Sequence, residues 1–276
     1  MVAGLCVIVP VDRAEPFMRL KATNFLKLDC QQPCPVVAML RPRSGLAQWV
    51  VSEHYHLRPW VPTVEYVDPY GNLGQRFVVP AGGMEIEVQV EMETEEALAV
   101  EPAAPVTPVD QLPDAALMYL LPSRYCPSDR LAGRAREIVG DLTAGYAQVE
   151  AIRRWIHEHI AYEYGVSDAS TDALGTLNLG KGVCRDFSHV GIALTRALQI
   201  PARQVVGYLH KLDPMDMHAW FEAFIGGRWY TFDATQAEPR GGRLVVGYGR
   251  DAADVAFISN YGEIAIEEMR VTVEQA

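Results

Sequence analysis

The sequence predicts an α+β protein, in which a β-rich, sandwich-like N-terminal domain precedes a domain of helices and an aromatic-rich hairpin. Three features point there. The first hundred residues alternate apolar and polar between turn signals, as strands do. Residues 101–113 carry four prolines and few large apolar side chains, which suits an extended connector. Beyond the connector the apolar period lengthens to that of helices, and an aromatic-rich hairpin follows, turning at Gly226 and Gly227. The expected division is a loose extension over residues 1–17, a β-rich domain over residues 18–105 and a second domain over residues 106–276.

Composition bounds the rest. A chain of 276 residues, 49% hydrophobic and 21% charged, can bury one large core or two medium ones and does not have the profile of a disordered polypeptide. The formal charge of −11, with no local run of Lys or Arg, lacks the electrostatic footprint of nucleic-acid binding. No apolar run reaches the roughly 18 residues of a spanning helix, so no membrane partner is expected. The apolar residues 1–10 have neither a basic residue ahead of them nor a small-residue cleavage site, so they are not read as a secretory signal. Five cysteines at unlike spacings suit a reduced, cytoplasmic setting better than a disulfide framework. Cys30 and Cys34 have no second Cys or His pair nearby, so no metal or other cofactor is expected.

In chain order, strands are expected over residues 36–40, 48–55, 63–67, 75–79 and 84–91. In the last of these Met84, Ile86, Val88 and Val90 share one face, and Glu85, Glu87, Gln89 and Glu91 the other, as a half-buried antiparallel strand requires. Turns are expected over 68–72 and 80–83. After the connector, Leu131, Ala135, Ile138 and Val139 follow Ser128 and Asp129 as the stripe of a first helix. Val149, Ile152, Ile156 and Ile160 mark a second, with His157 beside the stripe and His159 nearer the opposite face, both as surface or packing residues. The pair lacks the i, i+4 spacing of a zinc-binding helix.

Cys184 is the candidate nucleophile. Gly180 and Gly182 precede it, and Phe187, Val190, Leu194 and Ala197 recur after it at helical spacing, so the thiol falls in the first turn of a helix. There it meets the positive end of the helix dipole and unpaired backbone amides. These favour the nucleophilic thiolate and can also hold an oxyanion. Cys6 and Cys126 lack such surroundings and are read as structural. His189, five positions on, points well round the helix from Cys184 and is read as a packing residue.

The hairpin places the base. Residues 218–225 and 228–235 alternate across the Gly226–Gly227 turn, and pairing Ile225 with Arg228 sets Trp220 opposite Asp233 and His218 opposite Thr235. His218 and Asp233 then share a face as diagonal neighbours about 7–8 Å apart at Cα, within reach of a carboxylate–imidazole hydrogen bond. A histidine so held is a better-placed and more basic proton acceptor. Trp220 and Glu222 share that face, and Glu222 is read as structural.

The runs GVCRDF at 182–187, HAWFE at 218–222 and WYTFDAT at 229–235 resemble, in order and spacing, the three motifs of the bacterial transglutaminase-like superfamily. The resemblance covers roughly residues 117–235, and the β-rich part is similar to a domain that often precedes the core in bacterial members. It implies a papain-like/transglutaminase core of helices packed on an antiparallel sheet, with Cys184 as nucleophile, His218 as general base and acid, and Asp233 as the group orienting His218. It also implies a peptide or protein substrate and no cofactor. A thioester on Cys184 could be taken by water or by an amine. The chain has no Asp-rich calcium loop of EF-hand type, which disfavours a calcium-activated crosslinker, so hydrolysis of a peptide or amide bond is expected. Transamidation by the same triad, a non-catalytic binding module and a metal hydrolase using Cys184, His189 and His218 are the alternatives. Asn178 is a candidate second oxyanion donor. The polar residues of 249–254, a stretch also similar to bacterial members, are read as capping a turn.

Overall fold

The computed structural model describes residues 17–45 and 47–276. Six strands occupy the first part: β1 (Phe17–Asp29), β2 (Cys34–Ala38), β3 (Gln48–Arg58), β4 (Val64–Val67), β5 (Leu73–Val79) and β6 (Met84–Glu95). The second part holds α1 (Asp114–Leu117), α2 (Ala132–Val139), α3 (Tyr146–His159), β7 (Ala161–Tyr162), α4 (Ala173–Leu179), β8 (Lys181–Gly182) and α5 (Cys184–Ala197). It continues with β9 (Ala202–Leu209), β10 (His218–Ile225), β11 (Arg228–Phe232), β12 (Arg243–Gly249), β13 (Ile258–Asn260) and β14 (Ala265–Gln275).

The strands form three four-stranded sheets in the orders β14-β1-β6-β3, β13-β2-β5-β4 and β11-β10-β9-β12, with β7 and β8 as a separate parallel pair. The first two sheets bury one common core. Leu20, Leu26, Ile86 and Met92 enter it from one sheet, and Val36, Phe77 and Val79 from the other. The alternation read in β6 is present in full, with Met84, Ile86, Val88 and Val90 all buried.

The ends of the chain depart from the expected division. Residues 1–16 of the expected extension, and with them Cys6, lie outside the described residues, while Phe17 already pairs with Glu95. At the other end β13 pairs with β2, and β14 lies along β1 from Leu20↔Gln275 to Asp29↔Ala265. The stretch 258–275 thus completes the N-terminal sheets and does not belong with the rest of 106–276. Each of those sheets gains an extra strand and a hydrogen-bonded edge from it.

The third sheet is shared between two cores. Ala202, Phe221, Ala223 and Ile225 pack against α5 together with Ile152 and Ile156 of α3. Val206, Tyr208, Ala219, Leu244 and Val246 instead join the core of the N-terminal sheets. Edge strand β12 is closed by side-chain amides from the first part of the chain. Gln48 exchanges hydrogen bonds with Val245 (2.8 and 2.7 Å), and Asn72 does the same with Tyr248 (2.6 and 2.8 Å). These amides stand in for a neighbouring strand and satisfy backbone groups that an edge would leave open. Asp68 holds Asn72 in turn, which gives the turn at 68–72 a definite task.

Candidate active site

Cys184 is the first residue of α5, as its spacing predicts. The approach is tight: Gly180 ends α4 with φ +66°, and a Cβ at Gly182 would lie 2.7 Å from Cβ of Asp186. Asp186 is fully buried and accepts hydrogen bonds from the Val183 amide (2.9 Å) and the Ser167 hydroxyl (2.5 Å), which fixes the first turn. Ser128 and Asp129 form a short 3-10 turn ahead of α2 instead of capping it, because their side chains make no cap bond there.

The hairpin has the expected register. Ile225 faces Arg228 and Phe221 faces Phe232, and both turn glycines have positive φ, +56° and +86°. The ladder stops one pair short of Asp233, which is free to turn towards His218. His218 Nε2 lies 2.8 Å from Asp233 Oδ2, with the two side chains 2% and 4% exposed. Asp233 Oδ1 accepts from the amide and hydroxyl of Thr235 (3.0 and 2.7 Å). Nε2 is committed to Asp233, and Cys184 lies near enough to act on the same imidazole electrostatically.

The electrostatics follow from this enclosure. Burial works against a charged His218, but attraction and hydrogen bonding to Asp233, aided by Cys184, outweigh it and push the imidazole pKa up to about 9. Burial likewise works against ionised Asp233, and His218 and Arg243 overcome it, holding the carboxyl far below the usual range. Arg243 is absent from the sequence reading. Its Nη2 donates to Asp233 Oδ2 at 2.9 Å, the same oxygen that faces His218.

A second residue outside the sequence reading lies at the thiol. The β7–β8 register sets Tyr162 opposite Gly182, and its ring rests on Phe187 at 5.7 Å between centroids. The residue is 43% exposed, and Cys184 lies near enough to act on its phenol. Burial, then the Cys184 sulfur, raises the phenol pKa, so the group stays a donor. Asn178 is exposed near the end of α4, whereas Tyr162 pairs opposite Gly182, two residues before Cys184. An aromatic three residues after the end of an amphipathic helix is a weak signal, and only the parallel β7–β8 pairing gives it meaning.

The remaining candidates have structural partners. His189 is fully buried, accepts from the Ala252 amide (3.2 Å) and stacks on Tyr125. Burial lowers its pKa to about 3, which makes it a neutral packing residue. It is engaged away from Cys184 and His218, so the alternative metal site has no geometric support. Glu222 pairs with Arg203 at 2.6 Å, His157 bonds the Ala234 carbonyl, and His159 stacks on Trp155. Cys126 is buried against the His189 carbonyl. In the 249–254 stretch, Asp251 caps the Ala253 and Tyr125 amides and Arg250 pairs with Asp254. A cavity of about 980 Å³ between Met18, Tyr146 and Arg240 contains none of Cys184, His218 and Asp233. No described helix is long and apolar enough to cross a membrane.

A helix beginning at a cysteine, packed on an antiparallel sheet whose inner strand begins at a carboxylate-held histidine, is the architecture of papain-like cysteine enzymes. The family model of the transglutaminase-like superfamily matches residues 132–234. An uncharacterized protein of Mycobacterium leprae is 30% identical over 255 residues, covering 86% of this chain and 90% of its own. A solved structure from Cytophaga hutchinsonii, described as that of a proposed cysteine protease, is 32% identical with a TM-score of 0.89. It covers 94% of this chain and 91% of its own. The chain belongs to the transglutaminase-like superfamily.

Proposed function

We propose that the protein carries out cysteine-dependent acyl transfer at a peptide or amide bond and completes it by hydrolysis. The observation that carries this reading is His218 fixed at 2.8 Å by buried Asp233, with Cys184 at the start of α5 close enough to act on the same imidazole. The Cys184 thiolate attacks the carbonyl carbon, and the oxyanion forms against the Cys184 amide and the Tyr162 hydroxyl. His218 gives its proton to the leaving amine through Nδ1, which leaves a thioester on Cys184. It then takes a proton from the attacking water, and the acid departs as the thiolate is restored. The description of the Cytophaga hutchinsonii relative as a proposed protease supports water as the acceptor.

p-Nitrophenyl acetate tests the reading without a known substrate. The expected result is acetylation of Cys184, seen by peptide mass spectrometry, with slow turnover to acetate that stays the main product when a primary amine is added. If Cys184→Ala releases nitrophenol as fast as wild type, the nucleophile is elsewhere. If the amide of the added amine dominates, the reaction is transamidation.

Tyr162→Phe separates the oxyanion contact from the thiol. Acetylation of Cys184 is expected to slow about 10²-fold, while alkylation by iodoacetamide, which passes through no oxyanion, proceeds at the wild-type rate. Equal slowing of both reactions would mean that Tyr162 only shapes the surroundings of the sulfur.

A further inference from the structure

We propose that Arg243 is a positioning residue of this site: its guanidinium shares Asp233 Oδ2 with His218 and thereby limits how tightly His218 holds its proton. The proposal rests on the reading of Cys184, His218 and Asp233 given above and adds a fourth group to it.

The geometry is specific. His218 Nε2 and Arg243 Nη2 approach the same oxygen at 2.8 and 2.9 Å, and the Arg243 side chain is 5% exposed. The guanidinium is pinned on three sides. Nε donates to the Arg240 carbonyl (2.9 Å), the plane lies over Trp220 at 4.8 Å, and Nη2 holds Asp233. Its backbone is pinned as well: the Arg243 carbonyl accepts from Thr94 of β6 (2.7 Å), and Val245, two residues on, is held by Gln48. The N-terminal sheets thus anchor the strand that carries the guanidinium, which gives them a part in setting up the site.

A neutral donor would satisfy Asp233. Its other oxygen already has the amide and hydroxyl of Thr235, and a carboxylate that only needed a further hydrogen bond could take it from a hydroxyl or amide. Burying a cation is costly, and burial pulls the Arg243 pKa down. What the cation adds is charge. It keeps Asp233 ionised in a dry setting, and it opposes the imidazolium that binds the same oxygen. His218 must both give and accept a proton in one catalytic cycle, which an imidazole held too tightly by an unopposed buried carboxylate does poorly. The charged groups facing the pair are Cys184 from α5, Asp233 after β11, and Arg243 from β12. Arg240 and Glu222, the latter paired to Arg203, stand behind Arg243.

The test is the titration midpoint of His218, followed by NMR on full-length protein with ¹³C-labelled histidine and assigned by loss of the signal in His218→Gln. In Arg243→Gln the midpoint is expected to rise by about one pH unit, and the alkaline limb of Cys184 alkylation by iodoacetate to move with it. Arg243→Lys, which keeps the charge, should leave the midpoint at its wild-type value. An unmoved or lowered midpoint in Arg243→Gln overturns the proposal, as does an equal rise in both variants, which would trace the effect to shape and not to charge. Should Arg243→Gln fail to fold, Arg243→Lys carries the test, since a raised midpoint there overturns the proposal and an unmoved one upholds it. The NMR midpoint reads Arg243 even if Cys184 proves unreactive, so failure of the acyl-transfer reading would show separately, as alkylation of Cys184 no faster than of Cys126.

Discussion

Replacing His218 with alanine is expected to slow acetylation of Cys184 by p-nitrophenyl acetate about 10²- to 10⁴-fold at neutral pH. The sulfur stays where α5 puts it, but it loses the group that accepts its proton in the proposed mechanism. A second readout identifies the cause. Iodoacetate is an anion, so the neighbouring imidazolium draws it to the sulfur. In wild type the alkylation rate should therefore fall as pH passes about 9, where His218 loses its proton. In His218→Ala that limb should vanish and the rate should simply climb with the thiolate fraction. A variant that keeps the limb near pH 9 would mean that another group titrates beside Cys184.

The second large effect concerns stability. Asp233→Ala removes the carboxylate on which His218 and Arg243 converge, and it leaves a buried guanidinium without its counter-charge. Breaking such a cluster from one side is expected to cost about 3–5 kcal/mol, read as a lowered urea midpoint. The loss should depend on pH in a defined way. Asp233 has a depressed pKa in the folded state, so its contribution is present above the unfolded value of 3.8 and is lost as pH falls. His218 has a raised one, so its contribution is complete below 6.5 and fades as pH rises through about 9. The gap between wild type and Asp233→Ala should thus be widest between pH 4 and 6.5. A gap that stays constant from pH 4 to 10 would show that lost packing, and not the ion cluster, explains the damage.

The parts of this fold that could be read from the sequence are those governed by local period. Strand β6, the glycine approach to Cys184 and the register of the β10–β11 hairpin each follow from spacing within a dozen residues. Strand β1 alternates equally well through Leu20, Ala22, Leu26 and Leu28, but Asn24 interrupts the apolar face. Its amide donates to the hydroxyl of Tyr208, 184 residues away. Strand β14 has little pattern to read, since only Val271 and Val273 are buried along it. Within the site, Cys184, His218 and Asp233 lie in recognisable runs, whereas Arg243 and Tyr162 have their places through a strand edge and a two-residue parallel pair. Such long-range pairings leave no periodic trace along the chain.

The return of β14 to β1 also sets an order of events during synthesis. Strand β1 leaves the ribosome well over two hundred residues before β14, yet the partner for one of its edges is residues 265–275. At about 5–20 residues per second, that edge waits on the order of 10–50 s for its neighbour, long after β6 is available on the other side. During this interval the nascent chain carries an open row of amides and carbonyls, the feature that invites pairing between chains on neighbouring ribosomes. Lys21 and Lys27 lie along the waiting strand, and charge at an unpaired edge discourages such pairing. Translation speed, and not only the stability of the finished fold, therefore bears on the yield of folded protein.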